Sequence, residues 1–347
     1  MAENYKKYTQ IEHVLERPGM YVGDISDVTS ECWIINQETN TACIKTCRWN
    51  PGIFKIFDEI LTNASDERQR NKNMTCIKVW ISDDNTISIY NDSGIPIEIH
   101  PEYNIYIPEL IFANLLTTSN HDDSKKRTTG GLNGLGAKLA AIFSDTFTVE
   151  TASGGKKYTQ TFEKNLSKIC KPKLGKSVKE YTKITFKPDF KRFGVDTLNE
   201  DTKSILIRRT FDMCAITPKG VDVYYNDKKL NVKDFSEYIS MYIGPKKNCP
   251  RVIQETPRWQ VAIAPSENGF QCISFVNGVN TSDGGSHVEH VIGPIVKKIT
   301  EIIQEKHKSL TIKPNYIKDN IFVFINCIIE NPSFSSQTKE KHITKVS

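Results

Sequence analysis

The stretch TTGGLNGLGAKLA, residues 128–140, is the feature that most restricts the fold of this chain. It contains four glycines followed by Lys138. Closely spaced glycines let backbone N–H groups converge on a phosphate, and a nearby lysine adds positive charge. The stretch runs into the helix-like segment GAKLAAIFS, so the glycines are predicted to open a helix, whose first N–H groups attract anions. A flexible glycine hinge is the alternative that this stretch alone leaves open.

Two familiar phosphate loops do not fit this spacing. A Walker loop ends in Gly-Lys-Ser/Thr, whereas here Ala137 separates Gly136 from Lys138. A dinucleotide fingerprint follows a strand, whereas Gly131, Gly134 and Gly136 follow the polar segment TTSNHDDSKKRTT. If the stretch binds phosphate, it belongs to another class of phosphate loop, and residues elsewhere in the chain must support that interpretation.

Residues 51–70, PGIFKIFDEILTNASDERQR, predict a long amphipathic helix. Its apolar stripe consists of Ile53, Ile56, Phe57, Ile60, Leu61 and Ala64. On the opposite face Glu59 and Asn63 lie one turn apart and point the same way. An ordinary solvated helix face is the alternative for these two residues.

Other patterned segments predict a layered α/β domain followed by a second domain. A Gly/Pro-containing segment at residues 243–251 marks the boundary. Strands are predicted at CIKVWIS, TISIYN, DTFTVETA, KKYTQTFE and YTKITFKPD, with helices at IPELIFANLLT and NEDTKSILIRRTFDMCAI and a hairpin around GVDVYYNDKKLNV. The second domain is predicted to contain strands at RWQVAIAP, QCISFVNG and NIFVFINCIIE and a helix over residues 286–308.

Composition narrows the class of protein. A chain of 347 residues with 38% hydrophobic content buries a sizeable core in roughly two domains. Its longest apolar stretch, IFVFINCII, is too short to span a bilayer, and no apolar signal segment opens the chain. Nine irregularly spaced cysteines indicate reduced intracellular thiols, and the net charge of +5 is too mild to indicate nucleic-acid binding by itself.

Six segments in the same order resemble the ATPase region of eukaryotic-type type IIA DNA topoisomerases. They are FDEILTNASD, YNDSGIPI, LLTTSNHDD, TGGLNGLGAKL, FVNGVNTSDGGSHV and IENPSFSSQTKE, and together they cover nearly the whole chain. The resemblance implies an α/β (α+β) fold, with a Bergerat-type ATPase sandwich followed by a ribosomal-protein-like βαβ transducer domain. The implied limits are residues 1–28 for an N-terminal arm and strap, 29–245 for the ATP-binding domain, and 246–347 for a transducer truncated at its C-terminus.

The resemblance also implies the chemistry of the helix at residues 51–70. Glu59 matches the general base that activates the attacking water, and Asn63 matches the asparagine that holds Mg²⁺ beside ATP. The remaining implied nucleotide contacts are Asn91 at adenine, Thr118, Ser119 and Asn120 at ribose and phosphates, and Gly131, Asn133, Gly134, Leu135, Gly136 and Lys138 in the ATP lid.

Several positions depart from the family pattern. The segment NDSG after Asn91 is one residue shorter than usual, so Asp92 is a candidate to replace Asn91 at adenine, with a plain turn as the alternative. Leucines occupy positions 132 and 135, and Glu67 stands where asparagine is usual. These departures predict weaker nucleotide binding and, with the short N-terminus, indicate a viral member of the family.

Coupling residues are implied at both ends of the chain. Gln337 and Lys339 match the transducer loop that contacts the γ-phosphate, although SSQTKE alone indicates only a polar loop. Tyr5 matches the arm that reaches the partner subunit's nucleotide, with an unstructured N-terminus as the alternative. Lysines near the end of the transducer helix match a DNA-sensing loop or form a solvated charge run; these are Lys306, Lys308 and Lys313.

The partners implied by the resemblance are a second copy of the chain, bound through the ATP gate, and double-stranded DNA. The DNA-cleavage region is expected to be missing from this chain, and no membrane association is expected. The location would be the host cytoplasm for a viral enzyme and the nucleus for a cellular one. Two rivals remain: another ATPase of the same superfamily, of chaperone or mismatch-repair type, and a nucleotide-sensing dimerisation module with little hydrolysis.

Overall fold

A computed structural model describes residues 7–115, 127–130, 134–309 and 311–346. The chain forms two compact units, with one division between Val232 and Lys233. The first unit comprises Met1–Asn36, Ala42–Lys125 and Gly131–Val232, and the second comprises Gln37–Thr41, Lys126–Gly130 and Lys233–Ser347. The domain limits predicted at residues 28 and 245 stay predictions.

The first unit combines five α-helices and one 3-10 helix (Pro18–Met20) with strands in two sheets, among the residues that the structure describes. Its helices are α1 (Gln10–Glu16), α2 (Pro51–Arg70), α3 (Ile107–Ala113), α4 (Gly136–Ile142) and α5 (Glu200–Ile216). Its strands are β1 (Val28–Asn36), β2 (Thr41–Trp49), β3 (Cys76–Ile81), β4 (Ile87–Asn91), β5 (Ser144–Ser153), β6 (Lys156–Glu163), β7 (Lys168–Ile169), β8 (Lys173–Lys176), β9 (Tyr181–Pro188), β10 (Asp222–Tyr225) and β11 (Lys228–Lys229).

Helix α2 has the bounds that the sequence predicts. The Asn50 side chain accepts a hydrogen bond from the Ile53 N–H at 3.1 Å, and Pro51 occupies the first helical position, where its missing N–H costs nothing. Gly52 packs closely against Phe193, since a Cβ there would lie 2.8 Å from the Phe193 ring. The start of this helix is therefore fixed in position.

A buried ion network joins α2 to α5. The Arg209 Nε lies 2.6 Å from the Asp58 carboxylate, and the Arg209 side chain is fully buried. Thr62 donates to the same carboxylate at 3.3 Å, and Asp212 lies 3.7 Å from the guanidinium. Because a buried charge is tolerated only when it is paired, this network fixes the position of α2 against α5.

We expect Arg209→Met to lower the free energy of unfolding by about 3–5 kcal/mol, because it leaves the buried Asp58 carboxylate without its cation and leaves Asp212 with Arg208 alone. Lys203→Ala, which removes a partly exposed ion pair with Glu200 on the same helix, is the control and should cost less than about 1 kcal/mol. Urea unfolding followed by circular dichroism measures both. Equal losses for the two variants would contradict the role assigned to the network.

The main sheet of the first unit has the strand order β11-β10-β3-β4-β9-β5-β6-β7, with β8 paired to β6. Its pairs are antiparallel except for β10 with β3. Central strands alternate buried and half-buried residues, so one face packs on the helices and the other faces outward. Lysines cover aromatic rings on the outer face, for example Lys183 over Trp80 at 5.2 Å.

The second unit places a helix against a five-stranded sheet of order β12-β13-β16-β14-β15. Its elements are α6 (Phe235–Ile243), β12 (Val252–Glu255), β13 (Trp259–Pro265), β14 (Gln271–Val276), β15 (Val279–Asn280), α7 (Ser286–Lys306), α8 (Pro314–Lys318) and β16 (Ile321–Cys327). Val288, Ile292 and Val296 of α7 share a buried apolar cluster with residues of β16. The parallel pair of β14 and β16 is joined by a crossover that contains α7, as in a βαβ unit.

Some sequence predictions differ from the structure. Helix α3 ends at Ala113 instead of continuing through Thr117, and the Asn114 side chain donates to the Glu109 carbonyl at 3.4 Å where the helix ends. Helix α7 ends two residues earlier than predicted, at Lys306. Elements that the sequence patterns did not predict are β1, β2, β7, β8, β12, β15, α1, α6 and α8.

Residues 333–344 form a closed loop at the start of α7. Backbone hydrogen bonds link His342 to Gly284 at 3.0 Å and Ser286 to His342 at 3.0 Å. Gly285 allows this approach, since a Cβ there would lie 2.0 Å from the His342 carbonyl oxygen. The fully buried His287 and His342 rings pack edge to face with centroids 5.2 Å apart.

We expect this loop to loosen in acid. Burial lowers the pKa of His287 to about 3 and that of His342 to about 4, so both rings are neutral in the folded protein while they take up protons in the unfolded chain below pH 6.5. Stability is therefore lost as the pH falls, by about 2 kcal/mol for each histidine between pH 6.5 and 5. Hydrogen exchange of residues 333–344 at pH 8 and 5, corrected for intrinsic rates, tests this. His342→Gln should remove about half of the pH dependence, because His287 remains, and a stability that did not change with pH would contradict the prediction.

Two further observations bear on the class of protein. Within the described ranges, no helix combines the length and the apolarity that a membrane crossing requires. All nine cysteines are free thiols.

Candidate nucleotide site

The Glu59 carboxylate lies beneath the start of α4. The side chain is 5% exposed, and a Cβ added to Gly136, the first residue of α4, would lie 1.9 Å from the Glu59 Oε2. The glycine motif and the predicted general base are thus in direct contact. The buried position distinguishes Glu59 from a residue of a solvated helix face.

Lys55 holds the other carboxylate oxygen of Glu59. The Lys55 Nζ lies 2.7 Å from the Glu59 Oε1, one turn away on α2, and the lysine side chain is also 5% exposed. The carboxylate is therefore fixed from two sides, by an ammonium group and by the backbone of Gly136. Lys55 was not among the predicted site residues, although its i, i+4 spacing from Glu59 was the available signal.

Asn63 is exposed although the residues on either side of it in α2 are buried. It lies one helical turn beyond Glu59, as predicted, so its amide is accessible next to the buried carboxylate. An amide oxygen suits Mg²⁺, which usually keeps few protein ligands and takes others from phosphates and water. The described residues contain no cluster of three His, Cys, Asp or Glu side chains able to hold a metal.

Lys138 is buried within α4, with 1% of its surface exposed. Its Nζ donates to the carbonyl oxygen of Gly134 at 2.5 Å, so the lysine ties together the end of the glycine motif. Gly134 has a positive φ of 59°, which glycine adopts without strain. Burial lowers the pKa of Lys138 to about 8.

We expect affinity for an ATP analogue to fall above pH 8, by up to about tenfold for each pH unit, because only the protonated ammonium attracts phosphate oxygens. Below pH 8 the lysine is charged and affinity should be nearly constant. Lys138→Met should bind more weakly and lose this pH dependence. Calorimetric titration of both proteins between pH 6.5 and 9.5 provides the test, and parallel pH profiles would exclude Lys138 as the titrating group.

Asn91 ends β4 at the predicted position and is buried. Its side-chain oxygen accepts from the Ser93 N–H at 3.1 Å. The Ser93 hydroxyl donates to Glu67 at 2.9 Å and accepts from Asn71 at 3.0 Å. Glu67, which stands in place of the usual asparagine, thus has a structural partner in the shortened turn.

Asp92 directs its carboxylate toward the start of β3. It accepts from the Thr75 N–H at 2.8 Å, from the Thr75 hydroxyl, and from the Cys76 N–H at 3.0 Å. These bonds cap the strand. A role of Asp92 at adenine stays a prediction.

Leu135, just before α4, lines a cleft of about 580 Å³. The other walls come from the N-terminal segment and the end of α3, including Tyr8, His13, Tyr21 and Leu115. The His13 Nδ1 and the Tyr21 hydroxyl lie 2.9 Å apart. The N-terminal segment thus borders the glycine motif within the first unit.

Part of the predicted site lies outside the described residues. These positions are Tyr5, Thr118, Ser119, Asn120, Gly131 and Asn133. Gln337 and Lys339 belong to the second unit. Lys339 is 7% exposed and has a positive φ of 64°, and its N–H bonds the Ser336 carbonyl at 3.2 Å.

The chain is similar to known proteins along its whole length. Residues 50–191 match the family described as histidine kinase-, DNA gyrase B- and HSP90-like ATPase, and residues 221–346 match the DNA gyrase B family. The crystal structure of the ATPase region of Saccharomyces cerevisiae topoisomerase II superposes with a TM-score of 0.95 at 44% identity, covering 100% of this chain and 92% of that one. The chain belongs to the DNA topoisomerase 2 family. It corresponds to the ATPase region, and it has the GHKL ATPase fold with a transducer domain.

Other members of the topoisomerase 2 family agree with this assignment. The ATPase and transducer domains of Balamuthia mandrillaris topoisomerase II superpose with a TM-score of 0.93 at 40% identity, covering 99% of this chain and 89% of that one. DNA topoisomerase 2 of Candida albicans is 46% identical over 371 residues, which is 100% of this chain and 25% of the relative. The chain spans about a quarter of the length of the curated relatives that it matches.

Proposed function

We propose that this chain is the ATP-driven gate of a type IIA DNA topoisomerase, which binds ATP with Mg²⁺, hydrolyses it and closes as a homodimer around double-stranded DNA. The observation that carries the proposal is the contact between the buried Glu59 carboxylate and Gly136 of the glycine motif, one turn from the exposed Asn63. The arrangement brings together a base, a magnesium ligand and a phosphate-binding motif.

In this proposal the chain's residues position water and phosphates. Glu59 accepts a proton from the attacking water, and Lys55 fixes the carboxylate so that one oxygen faces the glycine motif. Lys138 and the N–H groups of the glycine motif bind phosphate oxygens. Mg²⁺, when bound at Asn63, neutralises charge on the phosphates.

Closure requires contacts that exist only in the closed state. We propose two of them: Tyr5, reaching the partner's nucleotide, and Gln337 with Lys339, contacting the γ-phosphate. The second contact is lost when the γ-phosphate leaves, so the transducer distinguishes ATP from ADP. Lys306, Lys308 and Lys313 are proposed to contact DNA phosphates, and the full reaction requires continuity with a DNA-cleavage region.

Sedimentation of the chain with a non-hydrolysable ATP analogue and with ADP tests the gate. The analogue should convert the chain to a closed dimer, whereas ADP should not. Deletion of residues 1–10 should abolish dimerisation and leave nucleotide binding intact. Dimerisation of the deleted chain at the affinity of the intact one would refute the arm assignment.

A second candidate function is a nucleotide-sensing dimerisation module with little turnover. The ion pair between Lys55 and Glu59 favours it, since a carboxylate oxygen held at 2.7 Å by an ammonium group is less available to a water molecule. The rate of ATP hydrolysis decides between the two functions. A chain that dimerises with nucleotide but hydrolyses ATP no faster than the Glu59→Gln variant would be the sensing module.

We also propose a viral origin, with African swine fever virus as the specific candidate, and an intracellular location. What supports the viral origin is the set of departures at Glu67, at the shortened NDSG turn and at Leu135. For a viral enzyme the location would be the host cytoplasm, and for a cellular one the nucleus. Localisation of the tagged protein in cells tests the proposed location.

A further inference from the structure

Positive charge is concentrated in one part of the first unit. Residues 156–192 contain twelve Lys or Arg residues and three Asp or Glu residues, a net charge of +9. The whole chain has a net charge of +5, so the remaining residues together carry −4. The mild charge of the whole chain is therefore the sum of one strongly basic segment and a weakly acidic remainder.

This basic segment forms one edge of the main sheet. Strands β7 and β8 pair with the two ends of β6, and no further strand pairs with either of them in the part of the chain that the structure describes. Between them, the Cys170 N–H donates to the Thr161 carbonyl at 3.0 Å, and the Gln160 side chain donates to the Cys170 carbonyl at 3.0 Å. The edge is therefore held along β6, while all four residues of β8 are exposed.

Five exposed lysines follow this edge, and we call them the basic edge. They are Lys156, Lys171, Lys173, Lys176 and Lys179. None of the five forms an ion pair with a carboxylate of the described residues, in contrast to Lys157 and Lys168, which pair with Glu150 at 2.8 Å and with Glu163 at 2.6 Å. The described residues therefore do not neutralise the charge of the basic edge.

Lys156 and Lys176 lie directly opposite each other on β6 and β8. Like charges at such a cross-strand position destabilise a sheet. Lysines also occur on edge strands because they prevent pairing with another chain, and this is the alternative explanation for the basic edge. Protection of an edge requires scattered charges, not two lysines at one cross-strand position. A bound anion, by contrast, offsets the repulsion between the two ammonium groups.

We propose that the basic edge binds the phosphate backbone of double-stranded DNA. The inference rests on the proposed function, which supplies DNA as the partner. It adds a contact in the first unit to the one proposed for Lys306, Lys308 and Lys313. Because lysines contact phosphates without reading the bases, the edge holds DNA of any sequence.

The surroundings of the basic edge favour a duplex over a single strand. Proteins that bind single strands stack the bases on aromatic side chains. Within residues 156–180 the aromatic residues are Tyr158 and Phe162, and both are buried. The next aromatic residue, Tyr181, is stacked on Tyr90 at a centroid distance of 5.6 Å, and Lys157 lies over its ring at 6.0 Å. The edge therefore offers ammonium groups to phosphates but no free aromatic ring to bases.

An anionic lipid surface is the other partner that lysines beside aliphatic residues can contact. Leu174 and Val178 are exposed next to the lysines. They lie on a strand and in the loop after it, and not on the apolar face of an amphipathic helix. The observations therefore favour DNA, and lipid binding is an outcome that the test must separate.

The test measures binding of the whole chain to a short labelled DNA duplex by fluorescence anisotropy, at several salt concentrations and without nucleotide. Three variants each replace three lysines by glutamine. The edge variant carries Lys156→Gln, Lys173→Gln and Lys176→Gln. The control variant carries Lys72→Gln, Lys219→Gln and Lys228→Gln, at exposed lysines of the first unit that also form no ion pair with a described residue. The transducer variant carries Lys306→Gln, Lys308→Gln and Lys313→Gln.

The slope of log K against log salt concentration should fall in magnitude by about 2 to 3 in the edge variant, because each lost phosphate contact lowers it by about 0.9. The control variant should keep the slope of the original protein. Since the edge variant lacks the repulsion between Lys156 and Lys176, its melting temperature should be no lower than that of the original. An unchanged slope in the edge variant would overturn the inference. Aggregation of this variant with unchanged DNA binding would also overturn it, since the lysines would then only protect the edge.

Lysine acetylation followed by mass spectrometry tests the position of DNA on the original protein. DNA should slow the modification of Lys173 and Lys176 several-fold and leave Lys219 and Lys228 unchanged, and equal protection of both pairs would contradict the inference. Binding to phosphatidylserine vesicles but not to the duplex would reject DNA as the partner. Loss of DNA binding in the transducer variant alone would overturn the inference and leave the proposed gate intact. A chain that does not dimerise with the ATP analogue would refute the gate, whether or not the edge binds DNA.

Discussion

A Glu59→Gln variant is expected to bind ATP with nearly unchanged affinity and to lose hydrolysis by about two to four orders of magnitude, the usual contribution of a general base. Glutamine has nearly the shape of glutamate, so its side chain still fits beneath Gly136. It cannot accept a proton from the attacking water at neutral pH. Single-turnover hydrolysis and a binding titration measure the two quantities separately.

Glu67→Gln is the matched control for this experiment, since it makes the same charge change two turns further along α2. Its amide oxygen still accepts the hydrogen bond from Ser93, so turnover should be retained. Equal loss of hydrolysis in both variants would show that the charge of the helix, and not the position of Glu59, is what matters. Loss of binding in parallel with activity would exclude the base assignment.

The sequence predicted much of the fold where local pattern and packing agree. Residues 51–70 form α2 because a regular apolar stripe, an N-terminal proline and a capping asparagine all favour the same helix. By contrast, α6 was missed although it carried two signals. Phe235, Tyr238, Ile239 and Tyr242 recur at helical spacing and are buried. The Asp234 side chain caps the helix by accepting from the Glu237 N–H at 2.9 Å.

The site was predicted less completely, because its main feature is tertiary. Glu59 and Asn63 were predicted from helical spacing to share a face, but spacing does not show that α4 covers one and leaves the other exposed. The strand cap of Asp92 likewise depends on tertiary contacts with Thr75 and Cys76, whereas the Lys55–Glu59 pair had a local signal in its i, i+4 spacing.

A Gly136→Ala variant is expected to lose hydrolysis by about two orders of magnitude, because a misplacement of about 1 Å at a reacting group has an effect of this size. The new Cβ would lie 1.9 Å from the Glu59 Oε2 and 2.7 Å from its carboxyl carbon. Since Lys55 holds the other oxygen, the carboxylate has little freedom to move away, and either it or α4 must shift.

The cause can be isolated by a double-mutant cycle. If the methyl group acts by displacing the Glu59 carboxylate, Gly136→Ala should lower the melting temperature of the original protein but have little effect in a Glu59→Ala background, where the carboxylate is gone. Gly293→Ala, at a helical glycine with open space around its missing Cβ, should leave hydrolysis unchanged. Additive losses of stability in the cycle would mean that the two residues do not interact, and retained hydrolysis in Gly136→Ala would show that the position of the carboxylate does not limit the reaction.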